Sequence, residues 1–321
     1  MEITAITHGD ADGIISLSLF MKKFLPKRIY FSSSTKLKDV LCSSLIGVNG
    51  KILYIFDIAA DEKTILLSSL YEKAVWIDHH EWQIKEIPKN VEVFLENSPS
   101  TAQLVAKHFE INSELVEIAN EIDTSNINSD SASFFRDLVA AVKWKYSGSY
   151  LISKLRSISK TLTFHRIESF ESDQNLAELL NEYYDWKKRI EEKILENVKT
   201  FEINGNKIAV YETTFQIPIY IVSNKLLEHE KAPFDFVAVI IHKKTLPYRI
   251  SSKIELRTHT GKNVYDIARK FGGGGHKFAA GFTTDKFLKI DEFLKVLSTN
   301  KHRNLNTACC ENEKYIDQEK N

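Results

Sequence analysis

Three apolar runs of strand length in the first eighty residues each stop at acidic or imidazole side chains. EITAIT (2–7) runs into His8-Gly9-Asp10-Ala11-Asp12, KILYIF (51–56) into Asp57, and AVWI (74–77) into Asp78-His79-His80. Short runs rich in β-branched and aromatic residues read as strands. The stretches between them, IISLSLFMKKFL and DEKTILLSSLYEK, have helical length. Strands alternating with helices predict a parallel sheet with crossover helices on both faces. In such a sheet the carboxyl ends of the strands form the rim where ligands bind. Residues far apart in the chain are therefore expected to meet at that rim.

The α/β pattern continues with strands at RIYFSSS and VEVFLE. Ser100 or Thr101 is placed to cap the helix AQLVAKHF through its hydroxyl. ELVEIANEID, SFFRDLVAAVKWKY and SYLISKLRSISKTL then read as helices, closing a first domain over 1–172. QNLAELLNEYYDWKKRIEEKILENVK is amphipathic and free of Gly and Pro, and predicts a connecting helix within 173–200. After Gly205 the strands KIAVYET, DFVAVIIH and PYRISSKIEL, with helices at IYIVSNKLLEHE and VYDIARKF, predict a smaller mixed α/β domain over 201–298. The polar tail 299–321 lacks periodicity and is expected to be disordered.

Each acidic cluster alone has an ordinary explanation: a solvated turn, a helix cap, a surface pair. Three at consecutive strand ends do not, because carboxylates gathered at one rim repel unless a cation neutralises them. Alternation in HGDAD turns His8, Asp10 and Asp12 roughly one way, and Gly9 and Gly13 leave room for an ion or phosphate. Carboxylate and imidazole donors without thiolate suit Mn²⁺, with Mg²⁺ as the other candidate. The donor number suggests two ions about 3.5–4 Å apart, activating water for attack on phosphorus. Cys42, Cys309 and Cys310 offer neither a zinc ribbon nor a disulfide framework. Cys42 is expected in the core, and the chain in a reducing, cytoplasmic compartment. No apolar run approaches the roughly 20 residues of a membrane span. Lys+Arg and Asp+Glu number 43 each. That balance favours short substrates over tracking along duplex.

FGGGGHKFAAGF (271–282) is the other constraint. Gly272, Gly273, Gly274 and Gly275 are expected to present backbone N–H groups to an anion, with His276 as a polar tip and Ala279, Ala280 and Gly281 allowing close packing. The spacing is not that of a phosphate-binding Walker loop. Lys243, Lys244, Lys253, Arg257 and Lys262 form either a basic face or the solvated edge of a sheet. Tyr248 and Phe278 are either base-stacking rings or core.

HGDADGI, FDIAADE and WIDHHEW together resemble the first three motifs of the DHH phosphoesterases, which include RecJ-type exonucleases and oligoribonucleases. Many members have two more residues between the first His and the Asp pair; the compact form here is similar to archaeal RecJ-like proteins. FGGGGHKFAAGF resembles the glycine-rich signature of the family's DHH-associated C-terminal domain. The resemblance implies one ion on His8, Asp10 and Asp57 and a second on Asp12, Asp57, His79 and Asp123, with Asp57 bridging. Asp123 matches the fourth motif. His80 would sit beside the substrate phosphate, with Asp78 supporting it. Arg249, Ser252, the glycines and His276 would contact substrate. The implied activity is hydrolysis of single-stranded or short nucleic acid. Alternatives are a phosphatase or phosphodiesterase for 3′-phosphoadenosine-5′-phosphate or cyclic dinucleotides, and a non-catalytic replication scaffold. The six occupied ligand positions argue against a scaffold. Homo-oligomers and replication or repair proteins are the expected protein partners.

Overall fold

A computed structural model describes residues 2–46, 51–82, 84–227, 234–246 and 249–298; the side chains of 245, 246 and 249 lie outside this description. The chain divides into two compact units, Met1–Tyr184 and Asp185–Asn321. The tail expected to be disordered, with Cys309 and Cys310, lies outside the described residues, as does Tyr248.

In the first unit the strands are β1 (Glu2–His8), β2 (Arg28–Ser32), β3 (Lys51–Phe56), β4 (Lys73–Asp78) and β5 (Val91–Leu95). They form one sheet in the order β2-β1-β3-β4-β5, every pair parallel. The order reverses beside β1: the chain crosses to β2 on one side, then returns to β3 on the other. Two neighbouring strands whose connections leave in opposite directions open a crevice at their carboxyl ends. His8 ends β1 and Asp57 follows β3, so the first two acidic clusters flank that crevice.

The helices are α1 (Ala11–Met21), α2 (Leu37–Ser44), α3 (Glu62–Ser68), α4 (Thr101–His108), α5 (Leu115–Asp123), α6 (Asp130–Lys145), α7 (Gly148–Phe164) and α8 (Gln174–Asn197). Every residue of α1 is buried, because the helix lies between the sheet and α4, α5 and α7. Its sequence is accordingly apolar nearly all round. On the other face α2 and α3 bring Leu37, Leu41 and Ile65 onto Ile6, Leu53, Ile55 and Trp76. The sequence reading contains no helix at 37–44. It also expected Cys42 in the core, whereas Cys42 is exposed. The inward positions of α2 are Leu37, Leu41 and Ser44, and the residue after Leu41 turns outward. The boundary between the two units falls inside α8.

The second unit has strands β6 (Lys199–Ile203), β7 (Asn206–Thr213), β8 (Phe236–Leu246), β9 (Arg249–Arg257), β10 (Gly274–Gly275) and β11 (Ala279–Thr284), with helices α9 (Ile219–Leu227), α10 (Val264–Lys270) and α11 (Ile290–Ser298). The sheet runs β10-β11-β9-β8-β7-β6, with β7 and β8 parallel and the other pairs antiparallel. Asn204 and Gly205, both at positive φ, make the tight turn between β6 and β7. No helix among the described residues is long and apolar enough to cross a membrane.

One glycine of the first unit has no substitute. A Cβ on Gly13 would lie 2.4 Å from the His8 carbonyl oxygen, so α1 seats against the end of β1 only without a side chain there. Gly13→Ala is expected to cost about 1–3 kcal/mol, the range for overpacking a tight site. Chemical denaturation of the purified variant measures it.

Candidate metal centre

The rim at the carboxyl ends of β1, β3 and β4 is assembled from side chains that each answer first to local structure. Asp10 is the N-cap of α1: one carboxylate oxygen accepts from Gly13 N at 3.1 Å and the other meets His8 Nδ1 at 2.6 Å. Asp12, in the first turn of α1, is 1% exposed and accepts from Thr101 N at 2.7 Å and Ala102 N at 2.8 Å. Those are unpaired N–H groups at the start of α4, so a second helix terminus grips the carboxylate. Asp57 leaves β3 with φ +59, a left-handed backbone that a carboxylate residue tolerates better than most. Its Oδ1 accepts from Thr101 Oγ1 at 3.3 Å, while the buried Oδ2 receives no hydrogen bond from a described donor.

The imidazoles complete the rim. His79 Nδ1 lies 3.0 Å from the Ser98 carbonyl oxygen, which can only accept, so that nitrogen carries the proton. Its Nε2 is turned toward Asp123 at 3.4 Å, Asp57 at 3.8 Å and Asp12 at 4.0 Å. His80 Nδ1 donates to Asp78 Oδ1 at 2.7 Å, and Asp78 Oδ2 accepts from Trp82 Nε1 at 2.6 Å. Asp78 therefore orients His80, and a backbone carbonyl orients His79. His8 Nδ1 lies 3.7 Å from Asp57 Oδ2. The six expected ligands thus converge, and donor atoms fall into the groups His8–Asp10–Asp57 and Asp12–Asp57–His79, sharing Asp57. Thr101, Ser98 and Trp82 belong to the site as well. The sequence reading gave Thr101 only a capping role, and nothing in the pattern around Ser98 or Trp82 marks them.

Burial and four neighbouring carboxylates push Asp57 well above the ordinary carboxylate range. Burial, with Asp12 and Asp10 nearby, does the same to Asp123. Burial also raises Asp12, despite His79 and the α4 amides. Burial opposes ionisation of Asp10 too, but His8 beside it, with help from Lys143, holds this carboxyl low. Burial works against charge on His80, yet the bond to Asp78 lifts its pKa to about 9. Such a set fits divalent cations. The buried Asp57 oxygen has no hydrogen-bond donor among the described residues, His79 Nε2 faces carboxylates, and the ligand atoms are oxygen and imidazole nitrogen without sulfur.

Two expectations for the second unit are corrected. Ser252 is not a surface contact: it is fully buried, its hydroxyl donating to Lys286 O at 3.0 Å and accepting from Leu288 N at 2.9 Å, with His242 Nδ1 at 2.8 Å. Inward-facing positions of β9 are core positions, and this one fastens the 284–288 connection. Nor do all four glycines offer N–H groups to an anion. Gly272 N donates to Arg269 O and Gly273 N to Ala268 O, closing the C-terminus of α10 with Gly272 at φ +72. Gly274 and Gly275 pair with Gly281 and Ala280, and a Cβ on Gly273 would meet Gly281 O at 2.2 Å. The run is a helix stop followed by a close-packed hairpin. Its tip exposes His276, Lys277 and Phe278, so Phe278 is not core. Arg249 opens β9. Lys253 and Arg257 pair with Glu255, and Lys262 lies 3.8 Å from Asp235, so these basic residues are engaged locally.

Residues 205–300 match the DHHA1 domain. No curated protein matches the chain in sequence. Among solved structures, the pGpG-specific phosphodiesterase PggH of Vibrio cholerae is 16% identical with a TM-score of 0.58, covering 92% of this chain and 96% of that one. An exonuclease RecJ bound to manganese is 15% identical with a TM-score of 0.51, covering 92% and 89%. RecJ of Thermus thermophilus in complex with Mn²⁺ is 14% identical with a TM-score of 0.52; 88% of this chain covers 49% of that one. At these identities the likeness establishes the fold.

An acid whose pKa is raised in the fold binds its proton more tightly there. The stability it supports is present at low pH and lost as pH climbs from the ordinary carboxylate range through the raised value. For Asp57, Asp123 and Asp12 this predicts a metal-free protein that weakens above about pH 4. Melting temperatures should therefore rise on adding Mn²⁺, and by more at pH 8 than at pH 5. Asp57→Asn, which removes charge at the most crowded position, should stabilise the metal-free protein at pH 7.5 and abolish the Mn²⁺ shift. Ser252→Ala should instead destabilise by about 1–3 kcal/mol, read by denaturant titration.

Proposed function

We propose that this chain, a DHH-family phosphoesterase carrying a DHHA1 domain, hydrolyses phosphodiester bonds in single-stranded or short nucleic acid with the help of two divalent cations, manganese first. The observation that carries the reading is the meeting of Asp10, Asp12, Asp57, His79 and Asp123 at the crevice between β1 and β3, with Asp57 common to both donor groups. No structural need of the fold calls for so many acids in one place, with Asp12 and Asp57 buried among them.

His8, Asp10 and Asp57 would hold one ion, and Asp12, Asp57, His79 and Asp123 the other. Such a pair, when bound, polarises a phosphoryl oxygen and lowers the pKa of water for in-line attack. The protein's own part is preorganisation. The α4 amides fix Asp12, Thr101 fixes Asp57, and the Ser98 carbonyl fixes the His79 tautomer. His80, whose protonated form Asp78 favours, would offer an N–H donor beside the rim. It suits a phosphate oxygen in the ground state and the leaving oxygen as the bond breaks.

Short substrates are supported by the balanced charge of the chain. A protein described as pGpG-specific and exonucleases crystallised with manganese share the fold. A narrower second reading, a phosphodiesterase confined to dinucleotides, is supported by the likeness to the pGpG-specific enzyme, of which the chain spans 96%.

One assay separates these readings. Purified protein with Mn²⁺ is incubated with end-labelled RNA and DNA of two to twenty-four nucleotides, with pGpG, and with 3′-phosphoadenosine-5′-phosphate. Stepwise shortening of the oligonucleotides is expected. Cleavage of dinucleotides alone would select the second reading, and turnover of the bisphosphate alone would overturn both. His79→Ala and Asp57→Asn should each lose at least about 100-fold in kcat; full activity in either would remove the metal centre from the mechanism.

A further inference from the structure

One corner of the first unit gathers cationic and aromatic side chains that the metal chemistry leaves unused. The chain reads Lys143-Trp144-Lys145-Tyr146 where α6 ends, and Tyr150 and Lys154 follow one turn apart on α7. Two of these six are engaged within the fold: Trp144 packs against Tyr183 at 5.9 Å and Lys145 pairs with Glu182. The other four are differently placed. Lys154 holds its ammonium over the Tyr146 ring at 5.4 Å, Lys143 is exposed, and the Tyr150 side chain is 74% exposed.

Location separates this corner from an ordinary solvated helix surface. Leu155, the neighbour of Lys154, approaches Gly9 so closely that a Cβ there would lie 3.4 Å from its Cδ1. The middle of α7 thus abuts the turn that carries His8 and Asp10. Lys143 lies near enough for its charge to act on Asp10. The rim itself opens on this side: the His8 and Asp10 side chains are 34% and 39% exposed, against 2% or less for Asp12, Asp57 and His79. Lys154 belongs to the helical turn of α7 that meets this opening, and the exposed Tyr150 lies one turn before it. Lysines that track a backbone, interleaved with rings on which bases stack, are the elements of single-strand binding.

We propose that Lys143, Tyr146, Tyr150 and Lys154 form a subsite for the nucleotide next to the scissile linkage of a single-stranded oligonucleotide. The lysines meet its phosphates, Tyr146 steadies Lys154, and Tyr150 stacks on a base. The subsite rests on the phosphodiesterase reading and adds to it a means of preferring unpaired strands.

The test measures binding of a fluorescein-labelled five-nucleotide RNA, and of its abasic counterpart, by anisotropy in Ca²⁺ buffer across a range of salt. Tyr150→Ala should weaken binding of the RNA by about 5- to 50-fold, with Tyr150→Phe close to wild type. The abasic strand should lose far less. The Lys143→Gln/Lys154→Gln pair should weaken both strands and flatten the salt slope by about 1.4, the value for two phosphates on a single strand. Unchanged affinity in these variants, equal losses on RNA and abasic strand for Tyr150→Ala, or no binding by wild type would overturn the subsite. Hydrolysis of bis(p-nitrophenyl) phosphate in Mn²⁺ is read in parallel. Its absence from wild type would remove the enzymatic reading while leaving the binding result to stand or fall separately.

Discussion

Mutual repulsion among acidic groups held out of water is the constraint around which the first unit is organised. Asp12, Asp57 and Asp78 are each 3% exposed or less, with Asp10 and Asp123 beside them. Coulomb energy between charges a few ångströms apart rises steeply as water is excluded. The fold answers it with fixed dipoles and imidazoles. Two amides of a helix start face Asp12, Asp10 caps α1, and three histidines stand among the carboxylates. What remains uncompensated, above all at Asp57, is negative charge of the kind that a bound cation would neutralise.

Backbone conformation carries part of the same cost. Asp57 is one of four residues other than glycine at positive φ among the described residues, and the others lie at helix ends or in the β6–β7 turn. A carboxylate could be brought to the crevice by extended backbone only if β3 continued past its neighbours. The sharp left-handed exit turns the side chain across the mouth of the crevice instead, where both ligand groups reach it. Backbone strain thus falls on the residue that both donor groups share, a pattern expected of sites rather than of scaffolds.

Much of this was legible in the chain because strand-length apolar runs stop where the chemistry begins. His8, Asp10, Asp57, Asp78 and His79 could be grouped from that punctuation alone. Asp123 could not: it ends a helix, and only the family motif marked it. The readings that failed did so for identifiable reasons. LKDVLCSS is too short and too polar for its helical period to stand out, which also misplaced Cys42. Asn-Gly at 204–205 is a hairpin signal, yet the sequence reading begins its strands after Gly205 and gives none to the residues of β6. Ser252 and the glycines were read by motif rather than by packing. Buried hydroxyls fasten connections, and glycines permit close approach of one backbone to another, whether or not a ligand is near. Thr101 and Ser98 act through a hydroxyl and a carbonyl from the segment after β5, contacts that no spacing rule encodes.

All five strands of the first sheet run the same way, so their amino ends gather on the far rim, about 20 Å from the chemistry at the rise of a seven-residue strand. There the 22–27 connection turns beneath the layer beside a groove lined by Met21, Leu25, Pro26 and Ile29, with Leu25 80% exposed. That underside is where a surface tether, a fluorophore or an inserted peptide can be attached without crowding the reacting end. Parallel strand direction thus gives the first unit a front and a back, and with them a natural handle for immobilisation.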